Sequence, residues 1–200
     1  MIKEISSLPN LGYLHTELPE SLFKRLLEEA ENAEKDNDKI LCGLTEGKEH
    51  VPLHYNITKE LEEELNKFVL SCAYDFCKIY DYPWTHPLGR EPLKLTNLTN
   101  WINVQKQGEY IRTHMHDGII SYTTWLKIPN VDQKDQASFW FDYNGIIGNM
   151  MHHEIKLNQK FVGNLLVFPS ALEHTVYPFY NSSENRISIS GNIGYETKGK

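Results

Sequence analysis

The sequence predicts an α+β fold in which two amphipathic helices precede a jelly roll of two antiparallel sheets. Three observations lead there. Apolar residues recur at helical spacing in two stretches of the first 80 or so residues. From residue 93 to 195 the chain instead breaks into eight or nine short apolar runs divided by turn residues, the pattern of a two-sheet β fold. No linker long enough to separate two domains interrupts the chain. Residues 1–200 are therefore expected to form one domain, with 1–82 mainly helical and 93–195 the β core.

Pro19-Glu20-Ser21 opens the first helix, since a proline and an acid both suit a first turn. It runs through Leu22, Phe23, Leu26, Leu27 and Ala30, and the polar run Glu34 to Lys39 ends it. Residues 40–57 read as irregular, punctuated by Gly43 and Gly47. Thr58 is a suitable N-cap for a second helix, whose apolar face is Leu61, Leu65, Phe68, Val69, Cys72, Ala73 and Phe76. Glu60, Glu63, Glu64 and Lys67 lie opposite and read as a solvated face, so this helix should pack on the outside of a sheet. Pro83, Pro87, Gly89 and Pro92 then break the chain. Strand-like runs follow at Leu93–Leu98, Trp101–Gln105, Tyr110–His114, Ile119–Ile128, Ser138–Tyr143, His153–Leu157, Asn164–Phe168, His174–Phe179 and Arg186–Ile193.

Composition narrows the function. The 200 residues are 40% hydrophobic and 24% charged, enough apolar content for a core, and 12% aromatic, which suits pleated sheets. A net charge of −7 offers no basic footprint for a nucleic acid backbone. No apolar run approaches a membrane span, and Met1-Ile2-Lys3-Glu4-Ile5 does not open a signal peptide, so a cytoplasmic location is expected. The three cysteines, Cys42, Cys72 and Cys77, fit no zinc spacing and read as buried thiols.

Chemistry concentrates in three places. Thr113-His114-Met115-His116-Asp117-Gly118 puts two histidines two residues apart, a spacing that aims both to one face of a strand. Such a pair is half of a metal site, though on its own a weak signal. Leu165 to Phe168 is an apolar run leading into Pro169 and a turn, after which His174 stands alone. In Arg186-Ile187-Ser188-Ile189-Ser190 the arginine and serines share one face, where a guanidinium and a hydroxyl can grip a carboxylate.

These segments, with Trp101-Ile102-Asn103-Val104-Gln105-Lys106, the stretch from Ser121 to Pro129, Phe168-Pro169-Ser170 through Phe179, and Arg186 through Ile193, resemble the 2-oxoglutarate/Fe(II) oxygenases encoded by bacteriophages. The resemblance covers about residues 100 to 193 in five blocks that occur in the same order. It implies a double-stranded β-helix of the jelly-roll or cupin-like type, with Fe(II) bound by His114, His116 and His174. The same resemblance gives Arg186 and Ser188 to the far carboxylate of 2-oxoglutarate; by position, Asn103 on the strand before His114 and Tyr122 on the strand after it are candidates for the cosubstrate site. Ser121, Trp125 and Asn192 are further pocket candidates by position. The implied partners are 2-oxoglutarate, O2 and an unidentified second substrate, in the host cytoplasm if the protein is phage-encoded.

The sequence departs from this pattern in one respect: most of the superfamily has His-x-Asp, and here the position is His116. Three arrangements answer that departure. The centre is a three-histidine site, or Asp117 turns in as the carboxylate, or His114 and His174 act with water in the third place. The strand pleat favours three histidines. His152-His153 reads as a solvated strand end, and His15, His50, His54 and His86 have no companions that suggest a site. A cupin-like binding module with a vestigial metal site, and a zinc hydrolase, are the rival functions.

Overall fold

The computed structural model describes residues 12–33, 50–79, 94–131 and 137–196. The polar run 34–39, Cys42, His86 and the proline-rich segment 83–92 lie outside the described residues.

Among the described residues, ten strands and two α-helices follow one another in the order β1 (Leu14–Glu17), α1 (Glu20–Ala33), β2 (Leu53–Tyr55), α2 (Lys59–Ile79), β3 (Leu95–Gln105), β4 (Ile111–His114), β5 (Ile120–Lys127), β6 (Ser138–Asn144), β7 (Met150–Lys156), β8 (Asn164–Pro169), β9 (Glu173–Val176) and β10 (Arg186–Tyr195). All pairings are antiparallel, in a six-stranded sheet β1-β8-β5-β10-β3-β2 and a four-stranded sheet β4-β9-β6-β7. From β3 to β10 the chain passes back and forth between the sheets, which is the double winding expected of a jelly roll.

Three layers result. Leu22, Leu26 and Ala30 of α1 and Leu61, Leu65, Val69, Ala73 and Phe76 of α2 pack on one face of the large sheet, against Ile102, Val104, Ile187, Ile189 and Ile193. Trp125, Leu166 and Phe168 on its other face meet Phe139, Phe141 and Ile155 of the small sheet. The helical stripe read from the sequence is thus the buried one, with Phe68 only partly buried at its margin. Cys72 and Cys77 are buried free thiols, and burial pushes both up to about 11. Leu65 is fully buried, so Leu65→Ala is expected to destabilise the fold by about 2–5 kcal/mol. Urea denaturation measures this; a loss below about 1 kcal/mol would mean that α2 is not packed as described.

Two expectations are corrected. The helical N-terminal part contains two strands, β1 and β2, which extend the large sheet at its opposite edges. Their runs of three and four residues are too short to show a period. The described part of the run ending at Leu98, from Leu95, and the run Trp101–Gln105 are one continuous strand, β3, because Thr99 and Asn100 pair with Asn192 and Gly191 of β10.

Candidate metal centre

His114 ends β4 and is the cross-strand partner of His174 on β9. His116 lies two residues beyond the end of β4, where its backbone N–H donates to the Ser170 carbonyl at 3.0 Å. The turn after it needs Gly118, whose φ is +106° and where a Cβ would sit 2.9 Å from the Ile193 carbonyl oxygen. The three rings meet with centroids 4.2 Å apart for His114–His174, 4.8 Å for His114–His116 and 5.1 Å for His116–His174. One ligand nitrogen from each lies within 4.8 Å of the other two. Asp117 is exposed and outside this cluster.

The chemistry of the donors suits a divalent ion. His114 Nδ1 lies 2.7 Å from the Arg112 carbonyl and His174 Nδ1 lies 2.9 Å from that of Leu172. A carbonyl only accepts, so each Nδ1 carries the proton and each Nε2 keeps its lone pair. Burial, reinforced by the neighbouring rings, lowers His116 to about 4 and His174 to about 3, and burial also lowers His114. All three imidazoles are neutral at pH 7, which is the metal-binding form.

Beside the cluster is a cavity of about 180 Å³ lined by His54, Trp101, Asn103, Gln105, Thr123, Trp125, Phe139, Phe168, Ser188 and Ser190 as well as the histidines. Arg186, 1% exposed, does not itself line the cavity but is bonded to Gln105, which does. Its Nε and Nη2 donate to Gln105 Oε1 at 3.1 and 2.6 Å, and Nη2 also donates to the Tyr177 carbonyl at 2.7 Å. Nη1 is buried with no hydrogen-bond partner among the described residues. No carboxylate is among these partners, and burial pulls the guanidinium down to about 9, still a cation at pH 7. A buried cation with an uncommitted N–H group is costly unless an anion meets it, so the residues fit a carboxylate-bearing ligand.

The other expected residues divide. Asn103 lines the cavity, accepting from Trp101 Nε1 at 2.9 Å and donating to Ser190 Oγ at 3.1 Å. Trp125 also lines it, whereas Ser121 is buried between Asn192 and Ser170 at 2.8 and 2.9 Å. Tyr122 lines the cavity as well, while its ring also belongs to the helix-side core and its hydroxyl donates to Asn100, which itself donates to Asn66 and Glu62 of α2. The pleat that turns Thr123 and Trp125 inward turns the Tyr122 ring toward the helices. His152 and His153 sit exposed on β7, bonded to Asp142 and Tyr13 rather than near the cluster.

His54 and Gln105 are among the wall residues that were not anticipated. His54, dismissed in the sequence for want of company, lines the cavity because β2 pairs it with Asn103. Gln105 holds Arg186; the signal for it was its place on the Trp101–Asn103 face of the same strand.

The model of a family described as "Putative 2OG-Fe(II) oxygenase" matches residues 99–192, slightly under half of the chain, from β3 to β10 and including all three histidines and Arg186. No curated protein matches the sequence. Among solved structures, the chain is similar to a Pseudomonas putida prolyl-4-hydroxylase, at 16% identity over 94% of each chain with a TM-score of 0.59. It is also similar to a Trichoplax adhaerens prolyl hydroxylase in complex with a hypoxia inducible factor peptide, at 16% identity over 92% of this chain and 83% of that one, TM-score 0.58. A third is the non-heme alpha ketoglutarate dependent epimerase SnoN from nogalamycin biosynthesis, at 13% identity over 92% and 77%, TM-score 0.58. At these identities the likeness establishes the fold, a double-stranded β-helix core.

Proposed function

We propose that this chain is an Fe(II)- and 2-oxoglutarate-dependent oxygenase, acting as one domain whose helices brace the barrel. His114, His116 and His174 hold the metal, and Arg186 with Ser188 receives the far carboxylate of 2-oxoglutarate. The observation that carries the reading is the buried Arg186, with Nη1 unpartnered among the described residues and its Nε and Nη2 bonded to Gln105, a wall residue of the cavity that the three neutral imidazoles also line. A binding module or a zinc hydrolase built on the histidines would leave that cation without a purpose.

The proposed reaction consumes 2-oxoglutarate, O2 and a C–H bond of a second substrate and yields succinate, carbon dioxide and the hydroxylated product. Bound Fe(II) would supply the Lewis acidity and redox chemistry that activate O2 and the 2-oxoacid. The chain's own residues bind, orient and shield. Gln105 and the Tyr177 carbonyl hold the Arg186 fork in one orientation, leaving its third nitrogen for the ligand. Trp125, Phe139 and Phe168 keep the cavity apolar around the reacting groups. The second substrate would approach through a cleft of about 740 Å³ that shares His54, Trp101 and His116 with the inner cavity.

The test is cosubstrate turnover. The purified protein with Fe(II), ascorbate and 2-oxoglutarate in air is expected to form succinate, measured by mass spectrometry, and to stop when a chelator is added. If no succinate forms and calorimetry detects no 2-oxoglutarate binding to the Mn(II) form, the reading fails.

A further inference from the structure

The small sheet carries a buried carboxylate on the face turned away from the cavity. Asp142 of β6, 8% exposed, has its Oδ1 2.6 Å from His152 Nδ1 on β7. Its Oδ2 lies 3.1 Å from Thr175 Oγ1 on β9 and 3.3 Å from Thr113 Oγ1 on β4, and the two hydroxyl oxygens are 2.6 Å apart. Each hydroxyl has one proton, so the distances order them: Thr113 donates to Thr175, and Thr175 donates to the carboxylate. One side chain thereby ties together all four strands of this sheet.

The location is what matters. Thr113 immediately precedes His114 and Thr175 immediately follows His174. The imidazoles point into the cavity from the same strand ends whose threonines point out. β4 is an edge strand of four residues. Its register with β9 is recorded at Ile111↔Val176 and His114↔His174, with an irregularity between them. A backbone ladder this thin is a weak hold on the strand that presents His114 and leads to His116. The hydroxyl–carboxylate chain supplies a second tie at the same level.

We infer that Asp142, acting through Thr175 and Thr113, is a positioning residue that fixes His114 relative to His174 from behind the sheet. The inference rests on the reading that these histidines hold the metal. Outer partners of metal ligands typically account for about 10- to 100-fold in metal affinity, and this clamp reaches the ligands through the backbone.

Co(II) is the probe, because its visible absorption reports ligand geometry separately from overall stability. Asp142→Ala and Thr175→Val are expected to weaken Co(II) binding at least tenfold by dialysis and to change the visible band. Thr175→Ser, which keeps the hydroxyl, is expected to restore both. His152→Phe, which severs only the tie to the outer strand β7, should leave affinity within about twofold. If Asp142→Ala does not fold, the Thr175→Val and Thr175→Ser pair decides alone. Variants that lose thermal stability but keep the parent's Co(II) affinity and spectrum would reduce Asp142 to an ordinary structural residue and overturn the inference. A parent that binds no Co(II) would overturn the metal reading itself, and this inference with it.

Discussion

Replacing His174 by alanine is expected to abolish metal binding, with at least a 100-fold loss of Fe(II) or Co(II) affinity. His174 is 3% exposed, its Nδ1 is committed to the Leu172 carbonyl, and its Nε2 faces the other two imidazoles. Removing it deletes one of the three proposed ligands, a larger loss than the roughly 10- to 100-fold that outer partners contribute. It also opens a space against Phe139 and Phe168, whose rings lie 5.4 and 5.0 Å from the His174 ring. His116→Ala should weaken binding strongly, and Asp117→Ala only slightly, because Asp117 is exposed and apart from the cluster. Equilibrium dialysis with metal analysis ranks the variants. An Asp117→Ala protein that lost its metal beside a His116→Ala protein that kept it would replace the three-histidine set with one containing a carboxylate.

How legible this site was depends on what each residue asks of the backbone. His114, His174 and Arg186 were readable because each sits on or beside a regular strand with apolar neighbours, where the pleat dictates facing. His116 reaches the cluster by a route that strand pleat does not give: β4 ends at His114, and the Gly118 turn and the bond to Ser170 bring His116 round. The facing of Tyr122 was not legible because Ile120–Leu126 is buried on both faces, so that its sequence shows no alternation to say which side chains point inward. His54 was hidden in a three-residue strand whose existence depends on pairing with β3. Asp142 carried no signal in the sequence, because its partners at Thr113 and Thr175 are distant along the chain and meet only when the sheet forms. The two helices and most strand positions were legible from period alone, since helix and strand faces there separate apolar from polar residues.

Arg186→Lys is expected to raise the 2-oxoglutarate dissociation constant at least tenfold, a change of about 1.4 kcal/mol, while leaving metal affinity nearly unchanged. The guanidinium holds three acceptor contacts with its Nε and Nη2, to Gln105 Oε1 and the Tyr177 carbonyl, and keeps Nη1 uncommitted. A planar fork can be locked from one side and still present a donor on the other; a lysine has one nitrogen and no fixed plane. In the variant, the ammonium would satisfy either Gln105 and Tyr177 or the ligand, and an acceptor or a carboxylate oxygen would be left buried and unpaired. Phe179, whose ring centroid lies 5.6 Å from the guanidinium carbon, packs against that flat group and would lose the contact as well. Calorimetry on the Mn(II) form measures cosubstrate and metal affinity separately. Thermal shift gives an independent check, because a ligand that binds only the folded state stabilises it according to its concentration relative to the dissociation constant. At a fixed 2-oxoglutarate concentration the parent should gain more stability than the lysine variant. Equal affinity and equal shift in the two proteins would mean that Arg186 is not the carboxylate anchor, and the oxygenase reading would lose its main support.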